Sequence, residues 1–122
     1  MAEFPNALIQ GIDLLNRGDY FEAHEVIEAA WRAEPGEVRV LYQGILQVAV
    51  VYYHISRQNY LGARKVIKRA ILNLSPFTDN TLIDVPEIIR NLNSLDNNLE
   101  KLKSGKSAEY SQTFLKPVRL RQ

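Results

Sequence analysis

The chain repeats itself once. Arg17-Gly-Asp-Tyr-Phe-Glu-Ala-His-Glu-Val-Ile-Glu-Ala-Ala30 returns forty residues on as Arg57-Gln-Asn-Tyr-Leu-Gly-Ala-Arg-Lys-Val-Ile-Lys-Arg-Ala70, with Arg, Tyr, Ala, Val, Ile and the last Ala in register. The kept residues are mostly apolar, so the two segments are expected to build the same helical hairpin. The residues that change are polar: His24, Glu25 and Glu28 become Arg64, Lys65 and Lys68. One scaffold thus carries a particular polar group only once.

Helical periods fill most of the chain. Leu8, Ile12 and Leu15 mark a first amphipathic helix over 5–16, with Pro5 in its first turn and Gly18 breaking it. A second helix is predicted from Asp19, as N-cap, to Ala33, where Pro35-Gly36 ends it. A third, from Glu37 to Arg57, carries Val40, Leu41, Ile45, Val48, Val51, Tyr52 and Ile55, apolar nearly all round, and belongs at the centre of a bundle. The fourth starts at the Asn59 cap. Residues 75–84 read as a loop, and Pro86 opens a last helix to about Lys103, closed by Ser104-Gly105. The expected fold is all-α: a five-helix bundle made of two repeated hairpins plus a C-terminal helix. Residues 1–105 would form a single helical domain and 106–122 a tail lying along the bundle or mobile. The hairpins look like tetratricopeptide units, although the period is forty and two copies are fewer than a solenoid needs.

Composition narrows the function classes. With 122 residues, 46% apolar and 24% charged, this is an ordinary globular domain with one core. Fifteen Lys and Arg against 14 Asp and Glu give a net charge of +1, which provides no global field for nucleic acid or an anionic membrane. The basic run Arg64, Lys65, Lys68 and Arg69, with Arg57 or Lys116, Arg119 and Arg121 of the tail, could touch phosphates, but it reads first as a solvated face or as the partner of the acidic second helix. The lack of cysteine excludes disulfides, a thiol nucleophile and thiolate metal sites. The start Met-Ala-Glu-Phe-Pro is no secretory signal, and the apolar run from Gly44 to Tyr53 falls short of the ~18 residues that span a bilayer. A cytoplasmic protein is expected.

The candidate site is a polar cluster. His24 and Glu28 are one helical turn apart on one face, and Trp31 follows on the same stripe; on the third helix Gln43, Gln47 and His54 share a face at offsets of four and seven. If those faces meet, both histidines converge with their polar partners in one buried site. Three readings compete. His24 and Glu28 could be primary ligands of a divalent metal with His54 or Glu25 as the third, although His24-Glu25-Val-Ile-Glu28 lacks the second histidine of the zinc-protease His-Glu-x-x-His motif. A His24–Glu28 pair could instead perform metal-free acid–base chemistry. Or the cluster could be a polar network that fixes helix register and does no chemistry.

Taken together, His24-x-x-x-Glu28-x-x-Trp31, the surrounding Gly18-Asp-Tyr-Phe-Glu-Ala-His-Glu-Val-Ile-Glu28, Tyr42-Gln-Gly-Ile-Leu-Gln-Val-Ala49, His54 and Asn59-Tyr-Leu-Gly-Ala63 resemble a bacterial and archaeal domain-of-unknown-function family defined by His-x-x-x-Glu-x-x-Trp/Tyr. The likeness covers roughly residues 6–75. It implies a small all-helical protein with no established activity, in which the motif histidine and glutamate, here His24 and Glu28, bind metal.

The sequence therefore leads to a divalent-metal or small-ligand-binding helical protein of uncharacterised role. His24, Glu28 and His54 would be the metal ligands, with Gln43, Gln47 and Trp31 lining the ligand. The alternative is a non-enzymatic protein-interaction module in which the cluster is structural and the oppositely charged faces recognise a protein. No nucleophile or substrate cradle is identified, so whether the protein is an enzyme stays open. The expected partner is a small molecule or a protein, with room for a homodimer through exposed apolar residues.

Overall fold

The computed structural model describes residues 4–103 and 115–121. Among the described residues five α-helices follow in order: α1 (Asn6–Asn16), α2 (Tyr20–Ala33), α3 (Arg39–Ser56), α4 (Tyr60–Leu74) and α5 (Val85–Lys103), with a 3-10 turn at Ser75–Phe77 after α4. The predicted stop at Ser104-Gly105 and the expected domain limit at 105 lie outside the described residues.

The repeat is visible in the turns down to individual hydrogen bonds. α1 ends when Gly18 N–H donates to Leu15 O and Asp19 N–H reaches back to Leu14 O; α3 ends when Gln58 N–H donates to Ile55 O and Asn59 N–H reaches back to His54 O. Both are Schellman closures, which require a residue in the left-handed region after the helix cap. Gly18 has φ +90° and Gln58 φ +62°. The following helices differ at one point. Asn59 Oδ1 accepts from Gly62 N–H at 3.0 Å, whereas Asp19 occupies the equivalent N-cap position without any side-chain capping bond.

Each helix packs mainly on its chain neighbours, α1 on α2, α2 on α3, α3 on α4 and α4 on α5. α3 lies in the middle, and Leu41, Tyr42, Gly44, Ile45, Val48, Ala49, Val51, Tyr52 and Ile55 are all buried along it. Val40, expected in this core, is exposed instead, although Leu41 and Tyr42 of the same turn are buried: it lies on the side of the first turn of α3 that faces solvent. The small residues Ala23, Ala30, Ala63 and Ala70 are buried at equivalent places of the two hairpins, together with Ile27 and Ile67. Their size lets α2 and α4 approach their neighbours closely.

Residues 115–121 run along the bundle. Asn16 brackets Val118 from both sides, its Nδ2 donating to Val118 O at 2.9 Å and its Oδ1 accepting from Val118 N–H at 2.8 Å. Tyr52 Oη donates to Lys116 O at 2.7 Å. Ile83 and Leu120 form an isolated antiparallel bridge, extended by Arg121 N–H to Leu82 O and Asp84 N–H to Arg119 O. The loop before α5 is thus tied to the chain's C-terminal segment.

Candidate functional site

His24 and Glu28 sit on α2 at the spacing that brings i and i+4 side chains together. His24 Nε2 is 3.4 Å from Glu28 Oε1, and the second carboxylate oxygen, Oε2, is 2.5 Å from Arg32 Nη2. The side chains are 31% and 28% exposed, so the pair borders solvent and is not the buried site expected from sequence. Glu28 is held between an imidazole and a guanidinium, all on one helix.

His54 does not join this pair. It stands in the last turn of α3, where its Nδ1 is 3.2 Å from Asn59 Nδ2. Because Asn59 Oδ1 is engaged by Gly62 N–H, the asparagine must present its amide nitrogen to the ring, and Nδ1 of His54 is the acceptor. His54 therefore braces the α3–α4 turn. Between the two histidines stand Phe21 and Tyr53: the Phe21 ring lies 5.6 Å from His24 and 5.6 Å from Tyr53, and Tyr53 lies 6.3 Å from His54.

The remaining predicted residues are dispersed. Gln47 Oε1 accepts from Asn73 Nδ2 at 2.8 Å, so it faces α4 and not α2. Gln43 is half-buried one turn earlier. Trp31 lies beneath Arg39, whose guanidinium carbon is 4.4 Å from the ring centre and whose Nε donates to Trp31 O at 3.0 Å. That clamp holds the end of α2 to the start of α3. Among the described residues no group of three or more His, Asp or Glu side chains is placed to hold a metal ion.

The arrangement that does emerge is a shallow aromatic cleft at the start of α2, lined by Gly18, Asp19, Tyr20, Phe21, Glu22, Tyr53 and Ser56. Phe21 is 53% exposed there, flanked by the exposed Glu22 and Glu25. Sequence reasoning missed Phe21. Its signal was available in the repeat, where the position after the turn tyrosine is apolar in both copies, Phe21 and Leu61, although it points away from the core.

Residues 8–66 match the family model of DUF309, a domain of unknown function. That segment contains all six predicted site residues, while α5 and the C-terminal segment lie beyond it. The chain is similar to an uncharacterized protein, YpuF, of Bacillus subtilis (strain 168), with 43% identity over 54 residues, covering 43% of this chain and 31% of the relative. It is also similar to an uncharacterized protein of Aquifex aeolicus (strain VF5), with 29% identity over 66 residues, covering 53% of this chain and 20% of the relative. The matches thus span a third or less of these relatives. No solved structure matches the chain. The matched segment is helical apart from its turns, and no helix among the described residues is long and apolar enough to cross a membrane.

Proposed function

We propose that this chain is a protein-interaction module whose α2 face receives a cationic, amphipathic helix. The observation that carries the reading is the composition of that face: Phe21, more than half exposed, beside Glu22 and Glu25, which make no ion pair among the described residues. An exposed ring backed by His24 and Tyr53 offers an apolar anchor, and the carboxylates around it favour Lys or Arg on the partner. The relatives support a modular role, since the similar stretch is a minor part of each.

A second reading has one specific support. His24 Nε2 and Glu28 Oε1 are 3.4 Å apart, about the separation of two donors that share one tetrahedral ion at ~2.1 Å each. Against it, Arg32 occupies the other Glu28 oxygen and His54 is committed to Asn59. One experiment separates the two. The 15N-labelled protein is titrated with a synthetic Leu/Lys amphipathic helical peptide and, separately, with Zn2+. The module reading expects the peptide to shift Phe21, Glu22 and Glu25 amides, and the shifts to vanish in Phe21→Ala. Zn2+ shifts centred on His24 and lost in His24→Gln, with no response to peptide, would replace it with the metal reading.

A further inference from the structure

The same helix positions that make α2 acidic make α4 basic. Under the forty-residue repeat, Phe21 corresponds to Leu61, Glu25 to Lys65 and Glu28 to Lys68. Leu61, Lys65, Lys68 and Leu72 recur at offsets of four, seven and eleven, which sets them in one stripe along α4. Leu61 is 67% and Leu72 74% exposed; Lys65, Lys68 and the neighbouring Arg69 are exposed and have no ion pair among the described residues. Among the described residues, Arg64 at the edge of this face is the cation of α4 with an ion pair, lying 3.6 Å from Asp96 and 3.9 Å from Glu100 of α5.

The acidic and basic faces do not pair with one another among the described residues: Glu22, Glu25, Lys65 and Lys68 make no ion pair, and Glu28 is engaged by His24 and Arg32 of its own helix. We propose that the two faces satisfy one another between two copies of this chain, α2 of each copy docking on α4 of its partner. The inference rests on the reading of α2 above and names its cationic helix. An arrangement with two-fold symmetry makes both contacts at once and closes, so assembly stops at a dimer. Two helix faces about 21 Å long and ~10 Å wide give on the order of 400 Å² per copy, a small interface that exchanges freely. A polyanion is the less suitable occupant of α4: it has no use for Leu61 and Leu72, and the acidic α2 face of the same domain repels it.

The test is sedimentation equilibrium of the full chain at rising concentration, in low and high salt, with two charge-reversed variants at exposed positions, Glu22→Lys/Glu25→Lys and Lys65→Glu/Lys68→Glu. Circular dichroism checks that each variant keeps its helicity. The proposal expects a wild-type dimer that salt dissociates, association weakened by more than about tenfold in either variant, and dimer recovered when the two variants are mixed. A wild type that stays monomeric overturns it, as does a dimer that survives both reversals or a mixture that stays monomeric. A monomer that instead cosediments with phosphatidylserine vesicles through Lys65 and Lys68 also overturns it. Lys65→Glu/Lys68→Glu leaves α2 open, so its titration with the Leu/Lys peptide tests the α2 reading separately: binding there with a monomeric wild type keeps that reading and discards self-association.

Discussion

Gln58 holds the left-handed position of the α3–α4 turn that Gly18 holds in the α1–α2 turn. A residue with a Cβ pays about 1 kcal/mol for that conformation, and glycine does not. Gln58→Gly is therefore expected to stabilise the fold by about 0.5 to 1 kcal/mol, read as a higher urea midpoint with an unchanged slope. A midpoint that falls would mean that the Gln58 side chain contributes something the turn geometry does not reveal. The neighbouring residues explain why His54 misled the sequence reading. Its spacing from Gln47 places it on a polar stripe of α3, but it is also the residue whose carbonyl accepts the closing bond of the turn and whose ring meets the Asn59 cap. A stripe records which residues share a face and says nothing of what stands opposite.

At the scale of the helices, the hairpins depend on how closely α1 approaches α2. A Cβ on Gly11 would meet Cγ1 of Ile27 well inside van der Waals contact, and Ile27 is fully buried. Gly11→Ala should force the helices apart or twist Ile27 from its rotamer, at a cost of about 1 to 3 kcal/mol in denaturant unfolding. A loss smaller than ~0.5 kcal/mol would show that the contact is slack. The helices themselves were legible, because apolar periodicity and turn residues mark them: predicted and observed limits differ by two residues or fewer. The extended C-terminal segment is local in nothing. Val118 is buried in the core and its backbone is bonded to Asn16, 102 positions away in sequence, and no periodicity can announce that.

The whole molecule is closed by that segment. Burial, with smaller contributions from Tyr20 and Glu87, holds the Tyr52 phenol above its ordinary value, while its hydroxyl donates to Lys116 O. The folded protein retains this proton at pH values where the unfolded chain loses it. Stability is consequently whole below about pH 10 and declines above it, by at most about 1.4 kcal/mol per pH unit from this group. Tyr52→Phe should cost about 1 kcal/mol at neutral pH through the lost bond and should flatten the alkaline decline. Thermal melts of both proteins from neutral pH to about pH 11 would check this; parallel curves would show that Tyr52 does not govern alkaline unfolding. The sequence by itself determined the helical class, the repeat and the central place of α3, since each follows from local periodicity and from apolar residues that must leave water. It also determined that the two copies bear opposite charge. Only the tertiary structure decided that the two histidines stand apart with Phe21 and Tyr53 between them, that Gln47 turns to Asn73, and that Glu22 and Glu25 of α2 and Lys65 and Lys68 of α4 make no ion pair among the described residues. Those outcomes depend on how neighbouring helices rotate and which faces they turn to one another, and that rotation is fixed by packing across elements, which one helix's own sequence does not encode.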